Sequence, residues 1–159
     1  ELSTDEARAI DVIKHALIEM ERIDEKKYEI IIFLEPPSPF RTPEDIDNCV
    51  NLFLDNDPSS VVSVQKANQY HPILMKKIEK GILKPIWKNE PECVPRQLYD
   101  PAAYMRNGAV YILRRENIVK NKVYGNRIIP YIMPDERSIC IDSTLEWYTA
   151  EAMLSINKD

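Results

Sequence analysis

The residues with the clearest capacity for chemistry sit in three short stretches. Asp142 follows the apolar run Ile139-Cys140-Ile141 and precedes Ser143-Thr144. A carboxylate leaving a strand offers the hard oxygen that Mg²⁺ takes, alongside waters and phosphate oxygens. It equally suits the cap of a following helix. Cys140 is a soft donor, poor for Mg²⁺, and reads as a small buried residue. Arg41, Arg96 and Arg106 carry planar forks that grip a carboxylate through two hydrogen bonds. Taken singly, each is equally explained by a surface ion pair. Asn107 and Tyr111 lie on either side of Gly108 and bring an amide and a hydroxyl. They fit a ligand, or a turn and the core. Lys76-Lys77 reads as a solvated pair, and His71 before Pro72 as a turn feature.

These groups need elements to hold them. Thr4 as N-cap, with Asp5 and Glu6 after it, predicts a helix whose stripe is Ile10, Ile13, Leu17 and Met20. Tyr28 to Leu34 is apolar on both faces, as a central parallel strand reads. The loop Glu35-Pro36-Pro37-Ser38-Pro39-Phe40-Arg41 is held extended by its prolines. Thr42-Pro43-Glu44-Asp45 starts a second helix, with Ile46, Cys49, Val50, Phe53 and Leu54 inward and Asp55 to Pro58 as its stop. Ser60 to Gln65 is a strand. Alternating helix and strand predicts an α/β fold with a parallel sheet. A hairpin joined near Lys80-Gly81 follows. Residues 85–106 form an irregular, Pro- and aromatic-rich excursion with Pro91, Trp87, Tyr99, Tyr104 and Met105. Ala109 to Leu113, Ile128 to Met133 and Ile139 to Ile141 read as strands. A last helix buries Leu145, Tyr148, Ala152 and Met153. Open α/β sheets bind ligands at the carboxyl ends of their strands, which is where Asp142 falls.

Composition removes many functions. The chain has 159 residues, the size of one domain. Its three glycines, Gly81, Gly108 and Gly125, are too dispersed for a phosphate-cradling loop. Three scattered cysteines make neither a disulfide framework nor a CxxC site. Two histidines do not suffice for a common zinc centre. A net charge of −5 without a basic block predicts no nucleic-acid partner. The longest strongly apolar run, Ile30 to Leu34, predicts no membrane span. A cytoplasmic protein with reduced thiols is expected.

Several segments resemble one family. Leu34-Glu35-Pro36-Pro37-Ser38-Pro39-Phe40-Arg41-Thr42 resembles the LQPTSPLRT of the CMP-sialic acid synthetases, or acylneuraminate cytidylyltransferases, and Asp45-Ile46-Asp47 follows. Arg106-Asn107-Gly108-Ala109-Val110-Tyr111 resembles RPNGAIY. Ser138 to Glu146 resembles SIDIDTELD, with Tyr131-Ile132-Met133-Pro134 before it. The resemblance implies transfer of CMP from CTP to an acidic nine-carbon sugar, with Mg²⁺ and release of pyrophosphate. It implies a Rossmann-like, mostly parallel sheet flanked by helices, a small protruding dimerisation element at about 85–106, and a homodimer. Residues 1–159 would be one domain resembling the C-terminal two-thirds of such an enzyme, without the family's Gly-rich nucleotide loop. Asp142 would then hold the metal and act in catalysis. Glu35, Ser38, Arg41, Arg96, Gln97, Asn107 and Tyr111 would bind substrate, with Arg96-Gln97 matching the family's RQ pair and Arg96 taking the sugar carboxylate.

Two positions depart from the family: Glu35 replaces Gln, and Cys140 replaces the first Asp of SIDID. Glu35 would repel an anion and accept from a hydroxyl or amine. The alternatives are a non-catalytic sugar-binding or assembly homologue, and an enzyme for legionaminate, pseudaminate or 3-deoxy-octulosonate.

Overall fold

The computed structural model describes residues 4, 6–68, 70–87 and 93–156. Helix α1 (Ala9–Ile23) buries Ile13 and Leu17, four residues apart on one face. Met20, expected in that stripe, is exposed. The helix starts later than its sequence suggests: Arg8 is the N-cap residue and pairs with Asp11 at 2.8 Å, so Thr4 does not cap it. Asp5 lies outside the described residues. Strand β1 (Ile30–Phe33) and the Pro-rich loop lead to α2 (Pro43–Asn56). That helix starts as expected, with Thr42 capping it, Pro43 in the first turn and Asp45 closing a capping box. It ends at Asp57 in a left-handed conformation, φ 49°. Cys49 and Phe53 are buried, whereas Leu54 is exposed and Leu52 packs inward in its place.

Strand β2 (Ser60–Lys66) is followed by the hairpin β3 (Lys76–Glu79) and β4 (Ile82–Pro85). The hairpin turns through Lys80 and Gly81, both at positive φ, which is the geometry two-residue hairpins favour. His71 caps the short turn before β3: its Nδ1 accepts from Ile73 N–H at 3.2 Å, leaving Nε2–H for Pro101 O at 2.9 Å. Strand β5 (Tyr104–Arg114), α3 (Arg115–Val119), β6 (Ile128–Ile132) and α4 (Thr144–Ile156) complete the chain.

The main sheet has the order β1-β5-β2-β6. Only β2 and β6 pair in parallel; β5 is antiparallel to both β1 and β2. The fold is therefore α/β with a mixed sheet whose pairings are mostly antiparallel, which corrects the expected parallel one. Strands β1, β2 and β6 do run the same way, as their helical connections require. Strand β5 enters between β1 and β2 and reverses the pairing. Along β2 and β5 the side chains alternate between two cores. Val62, Val64, Tyr111 and Leu113 meet Ile13 and Leu17 of α1 and Ile118 of α3; Val61, Val110 and Ile112 meet Cys49 and Phe53 of α2. Pro130 sits in β6, which pairs on one side only, where a missing donor is tolerated.

Three further expectations change. Ile139 to Ile141 is not a strand but an extended segment tied by Ile141 N–H to Pro37 O at 2.8 Å. The excursion of 85–106 divides: β3 and β4 form a separate two-stranded arm, residues 104–106 belong to β5, and a short turn at Arg96–Leu98 lies between. Pro91 lies outside the described residues. Leu145, Tyr148 and Ala152 of α4 are exposed, Met153 is half-buried, and Ala150 is the residue that is buried.

Candidate functional site

The site begins with an irregularity in β5. Val62 pairs with Tyr111 and Val64 with Arg106, so Asn107, Gly108, Ala109 and Val110 all lie opposite the single residue Ser63. Bulges of this kind bend a strand and re-aim its side chains, often beside active sites. Ser63 replaces the lost ladder: its Oγ accepts from Val110 N–H at 2.8 Å and donates to Asn107 Oδ1 at 2.6 Å. Asn107 is 3% exposed, and its Nδ2 donates to Ser138 Oγ at 3.0 Å. Its carbonyl accepts from Ser38 Oγ at 3.1 Å. The Asn107 side chain thus ties β2, β5 and the segment before Asp142 together, and Ser38 adds the Pro-rich loop.

Gly108 sits at φ 71°, and a Cβ there would lie 2.6 Å from Glu35 Oε2 and 3.2 Å from Ser38 Oγ. The glycine meets both a backbone and a space requirement. The Pro-rich loop closes over it. Glu35 N–H donates to Gly108 O at 3.3 Å, and Arg41 donates from Nη1 to Glu35 O at 2.7 Å and Ala109 O at 3.0 Å. Arg41 thus braces the loop through its backbone.

A second anchor lies at the start of α2. Asp45 is 0% exposed and accepts from both Arg137 nitrogens at 3.0 and 2.9 Å, Tyr131 OH at 3.0 Å and Thr42 N–H at 2.9 Å. Burial opposes its charge, but Arg137, Thr42 and Tyr131 together hold the carboxyl below its usual range. Arg137, Ser138 and Ile141 are each fastened, so Asp142 hangs from a fixed segment.

Asp142 borders a cavity of about 620 Å³ that is also lined by Glu35, Arg106, Asn107, Tyr111, Cys140 and Glu146. Through shared Gln65, Tyr70 and Met105 it continues into a second cavity of about 580 Å³, lined by Lys66, Arg96, Gln97 and Asp135. Burial, then the charge of the nearby Glu35, pushes the Tyr111 phenol up. Burial and the neighbouring Asp142 carboxylate push the Cys140 thiol up to about 11, so it stays a neutral thiol beside Asp142. Arg106 lies over the Tyr124 ring, 5.2 Å from its centroid, and donates to the Tyr124 hydroxyl.

Asp142 does not cap α4. Ser143 stands at that position: its backbone carbonyl accepts from Trp147 N–H at 3.1 Å, and its hydroxyl donates to Glu146. Among the described residues no group of three or more His, Cys, Asp or Glu is placed to hold a metal ion. Asp142 can offer one hard oxygen, which fits an ion carried chiefly by waters and phosphate and not a cage built by the protein.

Of the residues singled out by sequence, Glu35, Asn107, Tyr111 and Asp142 border one cavity and Arg96 and Gln97 the other. Ser38 and Arg41 support the wall from behind. Gln65, Lys66 and Tyr70 were not among them. Their signal was positional, since Gln65 and Lys66 end β2 at its carboxyl edge.

No family model matches the chain. It is 27% identical to the CMP-N,N'-diacetyllegionaminic acid synthase of Legionella pneumophila, over 100% of this chain and 68% of that protein. It is 23% identical to the post-translational flagellin modification protein B of Campylobacter coli, over 96% of the chain and 64% of the relative. It is 28% identical to the N-acylneuraminate cytidylyltransferase of Escherichia coli, over 94% and 34% respectively. Nearly the whole chain is similar to acylneuraminate-type cytidylyltransferases. It spans about two thirds of the first two relatives and about one third of the third. Among the described residues, no helix is long and apolar enough to cross a membrane.

Proposed function

We propose that the chain carries the acid-sugar pocket of a cytidylyltransferase that joins CTP to a nonulosonic acid, giving a CMP-sugar and pyrophosphate. The observation that carries this reading is the cleft. The Pro-rich loop, the β5 bulge and the Ser138–Asp142 segment wall one cavity, and unpaired cations line its continuation. Lys66 and Arg96 make no ion pair among the described residues and suit the sugar carboxylate. Gln97 and Tyr111 supply polar groups for hydroxyl and N-acyl substituents. Asn107 holds the wall from within.

Asp142 would hold Mg²⁺ through one carboxylate oxygen, with phosphate and water completing the shell. When bound, that ion would neutralise charge on the reacting phosphate. Asp142 is free for this because Ser143 stands at the cap of the helix. The bulge and the Asp45–Arg137 lock orient it. CTP chemistry implies a cytoplasmic setting, and the exposed β3–β4 arm suits a homodimer. The test is pyrophosphate release from CTP and Mg²⁺ with a panel of nonulosonic acids. The complete protein is expected to turn over at least one of them. The 159-residue chain alone is expected to show none, because its dispersed glycines build no phosphate cradle.

A second reading, a sugar-binding homologue without catalysis, is favoured by Cys140, whose thiol occupies the position beside Asp142. Sugar binding by the complete protein with no turnover of any acid would support it.

A further inference from the structure

We propose that Glu35 is the specificity residue of this cleft and selects an acid sugar bearing a protonated nitrogen, an amine or an amidine. The inference rests on the acid-sugar reading above and names the substrate class within it.

The cleft has two electrical ends. Lys66 and Arg96, with Asp135 beside them, line one cavity; Glu35, Asp142 and Glu146 line the other, with Arg106 as its cation. The ends join through Gln65, Tyr70 and Met105. An acid sugar placed with its carboxylate at Glu35 would meet like charge, so the favourable orientation puts the carboxylate at Lys66 and Arg96. Its substituents then face Glu35.

Glu35 is a built feature of this wall. The chain has no side chain at residue 108, where a Cβ would come within 2.6 Å of Glu35 Oε2. Glu35 N–H is fixed on Gly108 O at 3.3 Å and its carbonyl on Arg41 at 2.7 Å. The carboxylate is half-buried, close enough to Tyr111 for its charge to push the phenol up. It has no cationic partner among the described residues, since Arg106 is committed to Tyr124. Glu146 accepts from the Ser143 hydroxyl, and Asp142 has the neutral Cys140 thiol beside it. None of the three carboxylates has a cationic partner among the described residues; Asp142 is the one assigned above to Mg²⁺ and Glu146 is held by the Ser143 hydroxyl, which leaves Glu35 to meet the sugar. A carboxylate accepts only, so its ligand must donate, and a cationic donor gains most.

The experiment uses the complete protein and two matched probes, the methyl β-glycosides of neuraminic acid, with a free amine, and of N-acetylneuraminic acid. Binding is measured by calorimetry, with and without CTP. The amine form is expected to bind about tenfold tighter or better, on the scale of a charge-assisted hydrogen bond. In Glu35→Gln, which keeps the shape and removes the charge, the ratio is expected to fall within about twofold, with an unchanged melting temperature. Equal binding by the parent, or a preference that survives in Glu35→Gln, overturns the proposal alone. Because the parent's own preference is a readout, a variant that fails to fold does not shield the idea. If neither glycoside binds the parent under either condition, the acid-sugar reading fails as well.

Discussion

Gly108 and Asp142 show how single positions govern the cleft. Gly108→Ala would place a methyl group against Glu35 in a left-handed backbone. Gly81→Ala provides the control, because Gly81 also has positive φ but nothing within 4 Å of its missing Cβ. The backbone penalty is about 1–2 kcal/mol in either case. Urea unfolding should show Gly108→Ala costing measurably more, and equal losses would mean that the Glu35 contact yields freely. Asp142→Asn in the complete enzyme should lower turnover by about a hundredfold. Sugar affinity and melting temperature should stay unchanged, because Ser143, not Asp142, stands at the helix cap. Turnover within about twofold of the parent, under half a kcal/mol, would remove Asp142 from the chemistry. At this scale much was legible. Asp142, Glu35 and Arg96 stood out by charge and motif. Asn107 looked like a ligand group, but its amide is consumed inside the wall, and no sequence pattern shows where an amide points. Lys66 was passed over because one lysine at a strand end carries no local signal.

Elements were legible where a local rule decides them and illegible where a distant partner does. The α2 cap follows from Thr42-Pro43-Glu44-Asp45, and the hairpin turn from Lys80-Gly81. The direction of β5 depends on where its neighbours lie, so alternation of helix and strand suggested parallel pairing that β5 interrupts. The Asp45–Arg137 lock is likewise tertiary and has a pH signature. Asp45 is depressed in the folded state, so its contribution is full above its unfolded pKa of about 3.9 and fades as pH falls through the lower folded value. Glu21, held down to about 2 by Arg115, acts in the same acid window. Asp45→Asn should therefore flatten the loss of stability below about pH 4, measured by unfolding at stepped pH. At neutral pH it should cost about 2 kcal/mol, less than a fully buried pair, because the Arg137 side chain stays 38% exposed. An unaltered acid profile would show that Asp45 carries no such linkage.

For the molecule as a whole, exposed apolar surface is the main feature. Ile78, Ile82, Leu83, Ile86 and Trp87 line the β3–β4 arm, with Ile78 75% exposed. Clusters of this kind mark interfaces. Light scattering at tens of micromolar should give a dimer mass. Ile78→Asp with Leu83→Asp, a cross-strand pair on one face of the arm, should give a monomer with little change in melting temperature. A monomeric parent would reject the arm as an interface. The sequence showed an apolar excursion here but placed it later than the hairpin that bears most of this surface, because the prolines of 85–101 drew the boundary.

The place of β5 also sets a schedule for synthesis. Ile30 finds its partner at Arg114, and Val62 finds its own at Tyr111. As the chain leaves the ribosome, β1 and β2 emerge first and wait for a strand made on the order of seconds later, at a translation rate of about 5–20 residues per second. Meanwhile an Ile-rich and a Val-rich segment are both unpaired, which is when chaperones bind and aggregates start. Such non-local pairing folds in about milliseconds to seconds, not microseconds. A nascent chain arrested before Tyr104 should thus remain protease-sensitive throughout, and one released after Val119 should acquire protection in a single step.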